Sequence, residues 1–519
     1  MALKDKLKVA DPSASQAENE KNKKEANEFC QEICFPMLYR NEKFYQLAWE
    51  IYDSFVMKLN VNAELTEQMI KDVVVKHISA YSLPKSALKN EITEFIIDNL
   101  LYYGPISTII RLAGNDLNDI LVNTKDYVDI IYAGQTIATP FRFRDEDDLR
   151  RIINRMLTES NRKVDESNPI ASAKLRDGSR IEVQIPPIAA NLDKEGNPGS
   201  YVTIRKFREI PLLFESLIDS SMIDLKIAYF LIHAIKGKLN IVISGGTSSG
   251  KTTFLNSITR FIDEGDQLLT IEDTKEMKPQ MPCHSIRSFE AKPANEEGAG
   301  AVTIEALLRT ALRSSPRRII VGECRGPEIV TMLNAMNTGH PGSMTTIHAD
   351  DTKEAVVRIE NMFLEARPAA NMNFIRSQII SAVDLIIQLV RFPDGSRRVV
   401  KISEPEKRIE DNGIVSMLDI FEFKRDKNNE SYLNSSGSFR TISASSRCVE
   451  KMMQNGVVMD TRIFDNDFVV TKQMVLELLS DYHPTRMCGW KEHYMAEIIQ
   501  HSYMDGKNIV ERWSNLQNG

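Results

Sequence analysis

The sequence predicts an α/β protein in which a P-loop domain built on a largely parallel sheet follows a smaller α/β domain and a helical N-terminal extension. Three observations carry this. Between Asn240 and Ile402, apolar runs of strand length alternate with segments of helical periodicity, the pattern of βαβ units. At one strand-to-helix junction stands Gly245-Gly-Thr-Ser-Ser-Gly-Lys251-Thr252, a glycine-rich phosphate loop. The chain has 519 residues, 42% hydrophobic and 26% charged: too long for one core, and ordinary for a globular protein.

Taken in order, residues 11–27 hold almost no large apolar side chain, so a flexible lead-in is expected over 1–27. A helical domain is expected over 28–95, where Leu47, Ile51, Phe55 and Leu59 recur every four positions on one helix face. Over 96–212, β-rich runs (Ile120-Leu-Val, Val128-Asp-Ile-Ile, Ile181-Glu-Val-Gln-Ile, Tyr201-Val-Thr-Ile) mix with a helical stretch at Asp147 to Leu157, giving a compact α/β domain. The P-loop domain is expected over 213–402, with strands at Ile241-Val-Ile, Leu268-Leu-Thr-Ile, Ile319-Ile-Val and Leu385-Ile-Ile-Gln-Leu-Val. One of its helices carries Ile329, Met332, Leu333 and Met336, with Pro327 near its start and Gly339 just past its end. The region 403–519 turns charged and turn-rich, then helical at Lys472 to Ser480 and Met495 to Trp513, and is expected to be α/β passing to helical.

Composition excludes several classes. A formal charge of −7, from 65 basic and 72 acidic residues, sets up no global field for nucleic acid, which is not an expected partner. No run approaches the ~18 apolar residues of a membrane span. The best candidate, Ile379 to Phe392, contains Asp384 and Arg391 and reads as a buried helix and strand. The opening Met-Ala-Leu-Lys-Asp-Lys lacks a secretory apolar core, so a cytoplasmic location is expected. Six scattered cysteines (Cys30, Cys34, Cys283, Cys324, Cys448, Cys488) include no Cys-x-x-Cys pair, which favours reduced structural thiols. Cys30 and Cys34 lie four apart, and two ligands alone do not make a structural zinc site.

The chemistry centres on the loop. Gly245, Gly246, Thr247, Ser248, Ser249 and Gly250 turn backbone N–H groups around phosphate. Lys251 reaches the β- and γ-phosphates of ATP, Thr252 ligates Mg2+, and Thr253 continues into the helix. Ile319-Ile-Val-Gly322-Glu323 stands where a Walker B strand would, with Gly322 where many P-loop enzymes place a magnesium-liganding Asp. Glu323 then becomes the candidate water-polarising base, touching Mg2+ through water. Glu272 and Asp273 end one apolar run and His348 ends another. Ligands collect at the carboxyl ends of strands, which makes these three and nearby His340 pocket candidates.

Four boxes, GGTSSGKTT at 245–253, IEDTKEM at 271–277, LLRTALRSSPRRIIVGECRGPE at 307–328 and TGHPGSMTTIHADD at 338–351, together resemble the ATPases of type II and type IV secretion systems and pili. The strongest likeness is to CpaF-like tight-adherence pilus ATPases, near the VirB-type conjugation ATPases. It extends through Tyr103-Gly-Pro-Ile, Leu175-Arg-Asp-Gly-Ser-Arg180 and Tyr201-Val-Thr-Ile-Arg205, and covers roughly residues 95–440. Arg317 and Cys324 depart from it, standing where relatives commonly have Asp and a β-branched residue. The resemblance implies a RecA-like P-loop domain, a PAS-like N-terminal domain and a homohexameric ring. The ring would lie peripherally on the cytoplasmic face of the membrane and act on a polytopic inner-membrane platform protein. It also implies that Arg176, Arg180 or Arg205 contacts the γ-phosphate, and that His340 and His348 sense it. Two rivals stay open: a conjugative DNA-transfer ATPase, for which Arg309, Arg313, Arg317 and Arg318 form a local basic cluster, and a nucleotide-gated, non-catalytic scaffold.

Overall fold

The computed structural model describes residues 35–480 apart from 59–65, 82, 84–85, 114–116, 133–134, 207–210, 282–284, 293, 295–298, 411–412 and 427–434. The expected lead-in, Cys30, Cys34, Cys283, Cys488 and the helical stretch at Met495 to Trp513 lie outside the described residues. The chain divides into two compact units, Met1–Glu209 and Ile210–Gly519.

In the first unit come helices α1 (Met37–Arg40), α2 (Glu42–Lys58), α3 (Glu67–Ser79), α4 (Ser86–Leu101) and α5 (Pro105–Ala113). Strands β1 (Leu117–Thr124), β2 (Tyr127–Tyr132) and β3 (Gln135–Ala138), helix α6 (Glu146–Thr158), and strands β4 (Ile170–Lys174), β5 (Arg180–Gln184) and β6 (Tyr201–Arg205) follow. The six strands form one antiparallel sheet in the order β3-β2-β1-β6-β5-β4. Alternating burial along β5 and β6 gives it one covered face. Trp49, Ile51 and Phe55 of α2 and Phe95 of α4 lie in the same apolar core as Leu149 of α6 and Ile204 of β6. The helices expected as a separate domain over 28–95 therefore share a core with the sheet, to which the apolar stripe of α2 contributes.

The second unit opens with α7 (Phe214–Asp219), α8 (Leu225–Lys236), β7 (Ile241–Gly245), α9 (Lys251–Ile258), β8 (Leu268–Glu272), β9 (Ile286–Glu290) and α10 (Ile304–Ala311). It continues with β10 (Arg318–Val321), α11 (Glu328–Asn337), β11 (Met344–Ile347), α12 (Thr352–Ala366), α13 (Met372–Ala382) and β12 (Leu385–Arg391). Last come β13 (Arg397–Ile409), β14 (Val415–Arg425), β15 (Gly437–Thr441), α14 (Cys448–Gln454) and α15 (Lys472–Ser480). The nine strands run β15-β14-β13-β12-β7-β11-β10-β8-β9, and β12 through β9 are all parallel. Strands β7, β8, β10 and β11 are buried at every position, as strands covered on both faces must be.

The strand Arg397–Ile409 runs through the boundary expected at 402, and β13, β14 and β15 add an antiparallel extension to the sheet. Residues 379–392 form the end of α13 and then β12, as their charges required. No helix among the described residues is long and apolar enough to cross a membrane.

Candidate active site

Strand order places the chemistry. The chain crosses from β7 past β11 and β10 to β8, and later from β11 back across β7 to β12, so its winding reverses beside β7. A crevice outside the carboxyl ends of the strands forms at such a reversal. Gly245 ends β7, Glu272 ends β8, Glu323 follows β10 and His348 follows β11, so four candidates converge on one edge of the sheet.

The loop between β7 and α9 is shaped by close approaches. A Cβ on Gly245 would lie 2.5 Å from the Leu389 carbonyl oxygen of β12, so a side chain there would drive the two strands apart. Ser248 has φ +58° and Gly250 φ +94°, two left-handed residues that curl the chain before the first turn of α9. Lys251 opens that helix, and its Nζ donates to the carbonyls of Gly245 (2.8 Å) and Gly246 (3.0 Å). Burial lowers the pKa of this ammonium, and nearby Glu323 partly offsets the effect. Thr252 and Thr253 are half-buried on the same first turn, while Thr247 and Ser248 are exposed. The hydroxyl of buried Ser249 has no hydrogen-bond partner.

His348 joins the two halves of the site. Its Nδ1 lies 3.3 Å from Lys251 Nζ and its Nε2 lies 3.1 Å from Glu323 Oε1. Burial, then the Lys251 charge, lowers its pKa, which favours the neutral ring. Glu323 Oε2 accepts from the Arg325 guanidinium at 2.7 Å. Glu323 Oε1 is buried without a hydrogen bond, the contact with His348 falling outside bonding geometry. Arg325 was not singled out in the sequence, although its place two residues after Glu323 at a strand end was a visible signal.

Glu272 explains Gly322. A Cβ on Gly322 would stand 2.9 Å from Glu272 Cγ, so the buried side chain of Glu272 fills the space that an Asp at 322 would need. Its Oε1 accepts the N–H groups of Glu276 (3.0 Å) and Met277 (2.9 Å), while Oε2 is buried and unpartnered. Burial pushes this carboxyl up to about 7. Asp273, next in sequence, is exposed.

Two expectations change. The ring of His340 contacts the Pro316 carbonyl (2.9 Å) ahead of β10 and β11, at the amino ends of the strands. It therefore lies at the edge opposite Glu323 and His348, because the four buried residues of β11 separate the two histidines along the strand. Arg318 is fully buried rather than part of a surface cluster, donating to Asp266 at 2.8 Å and to the Ile235 carbonyl at 2.8 Å. Arg309, Arg313 and Arg317 are exposed.

The three arginines expected to reach phosphate all belong to the first unit. Arg180 and Arg205 face each other across β5 and β6. Arg205 pairs with Asp119 at 3.2 Å, and Arg176, in the turn before β5, pairs with Glu159 at 3.4 Å.

A sequence profile described as "Type II/IV secretion system protein" matches residues 105–454, more than half of the chain and spanning both units. The chain belongs to the type II/IV secretion system protein family. Relatives within and around this family include a putative conjugal transfer protein of Mycobacterium tuberculosis, 30% identical over 298 residues that cover 56% of this chain and 82% of that one. The type IV secretion system protein VirB11 of Bartonella quintana is 28% identical over 346 residues, covering 61% of this chain and 94% of its own. Among solved structures, the VirB11 ATPase of Brucella suis is 24% identical with a TM-score of 0.31, covering 58% of this chain and 95% of that one. The Legionella pneumophila ATPase DotB is 18% identical with a TM-score of 0.42, covering 76% and 95%. The family match takes in all the residues at the strand ends, from Gly245 to His348.

Proposed function

We propose that this family member hydrolyses MgATP as one subunit of a homohexameric ring, at the cytoplasmic face of the membrane, and passes its motion to a polytopic inner-membrane platform protein of a pilus or secretion system. The observation that carries the reading is the convergence of Lys251, Glu272, Glu323 and His348 at the carboxyl ends of four parallel strands beside a P-loop. The donor set fits a nucleotide phosphate with Mg2+. Hydroxyl and carboxylate oxygens suit a hard cation. Among the described residues no group of three or more His, Cys, Asp or Glu could hold a metal alone, so phosphate oxygens would complete the shell. Thr252 would hold Mg2+ directly and Glu323 through water; the ion supplies charge neutralisation on the phosphates.

The side chains do the rest. Lys251 leaves its loop carbonyls to bind the β- and γ-phosphates, and the loop N–H groups around Ser249 bind the phosphate between them. Glu323 accepts the proton of the attacking water at Oε1, the oxygen left without a donor. Arg325 holds that carboxylate in place. Glu272, with Asp273, orients water through its free Oε2. Arg176, Arg180 or Arg205, from the same subunit or a neighbouring one, supplies positive charge to the transferred group, and His348 registers the γ-phosphate through its contact with Lys251. Substituting Glu323→Gln is expected to leave ATP binding intact and lower turnover at least a hundredfold, on the order of a general base's contribution. Undiminished phosphate release by that variant would remove Glu323 from the mechanism.

A conjugative DNA-transfer motor is the second reading, favoured by the exposed Arg309, Arg313 and Arg317 and by the conjugal transfer relative. It requires turnover that rises with single-stranded DNA and loses that stimulation steeply with added salt.

A further inference from the structure

The P-loop is gripped from outside by a residue that belongs to none of the family boxes. Strand β12 pairs with β7 up to Leu389 and Gly245, the first glycine of the loop. Beyond Arg391 the chain reverses in a tight hairpin, in which Gly395 has φ +85° and Asp394 accepts the N–H of Ser396 at 2.9 Å, and returns as β13. The first residue of β13 is Arg397, half-buried, and its Nε donates to the Ser248 carbonyl at 3.0 Å. Its Cδ lies 3.0 Å from where a Cβ on Gly250 would be. One side chain therefore bonds to one left-handed residue of the loop and packs against the other. Ser248 needs such support, because a left-handed φ is strained for a residue with a side chain and persists only where its surroundings fix it.

We infer that Arg397 is a positioning residue for nucleotide binding: its Nε–H pins the Ser248 carbonyl and so holds the turn that aims the loop N–H groups at phosphate. The inference rests on the ATP reading above and adds that the antiparallel extension of the sheet sets the affinity of the loop. The support is the Nε–H bond and the packing of Cδ, so a neutral donor at the same point keeps most of it. Glutamine provides one, since its Nε2 stands the same number of bonds from the backbone as arginine Nε, whereas methionine keeps the bulk without a donor.

The test is isothermal titration of ATPγS with Mg2+ into the full-length wild type, Arg397→Gln and Arg397→Met, alongside kcat and KM for ATP. The expected result is a dissociation constant and KM about tenfold higher for Arg397→Met, about threefold or less for Arg397→Gln, and a kcat at saturating ATP within about twofold of wild type in both. Amide exchange of residues 246–252 without nucleotide should be faster in Arg397→Met than in Arg397→Gln, a readout that stands apart from activity. Wild-type affinity and exchange in Arg397→Met would overturn the inference, and so would equal losses in both variants, which would mean that charge acts instead. If wild type itself fails to bind ATPγS, the ATP reading falls and takes the inference with it.

Discussion

At the scale of single residues, the decisive relation is between Gly322 and Glu272, 50 positions apart in sequence. With 2.9 Å from the absent Cβ to Glu272 Cγ, Gly322→Ala is expected to displace the buried carboxylate, destabilise the protein by about 1–3 kcal/mol and lower turnover. Denaturant titration and phosphate release would measure the two effects. Pairing Gly322→Asp with Glu272→Ala makes room again and should recover stability relative to Gly322→Asp alone. Glu272 also has a pH signature. Burial raises its carboxyl from 4.5 to about 7, so between those values the folded state holds a proton that the unfolded state has released. Stability from this group therefore falls as pH rises through that window, and the penalty is full above about pH 7. Glu272→Gln removes it: the variant should exceed wild type by up to about 3 kcal/mol above pH 7, with the gap closing towards pH 4.5. A gap that widens at low pH would contradict the assignment.

At the scale of elements, the opposite edge of the sheet is fixed by charge. Arg318 of β10 is fully buried, and Asp266, just before β8, receives Arg318 Nε and Lys238 Nζ, each at 2.8 Å. Asp266→Ala strands a buried guanidinium and should cost about 3–5 kcal/mol in urea unfolding. Lys238→Ala, whose side chain is 31% exposed, should cost about 1 kcal/mol or less.

Elements also show what could be read in advance. Strands β7, β8, β10 and β12, buried along most of their length, stood out as largely apolar runs. Strand β9, partly exposed along its length, did not, and neither did β14, whose burial is uneven and whose end is charged. A half-solvated edge leaves no such run. At the strand ends, Glu272, Glu323 and His348 were legible because each closes or follows an apolar run, and Lys251 because of the glycine-rich loop before it. His340 was misplaced because its box spans a whole strand, from one edge of the sheet to the other. Arg397 was invisible: its contact with Ser248 depends on a hairpin whose outcome sequence spacing does not reveal.

At the scale of the whole molecule, family membership and the strand-end cluster support one proposal, that the chain is a motor whose P-loop turns over ATP in an assembly. The most direct test is phosphate release from purified protein with MgATP, beside Lys251→Ala, with mass followed by light scattering across protein concentration. Turnover that appears as a sixfold assembly forms and vanishes in Lys251→Ala is the predicted result. Tight ATP binding without turnover in any assembly state would contradict it and leave a nucleotide-gated scaffold.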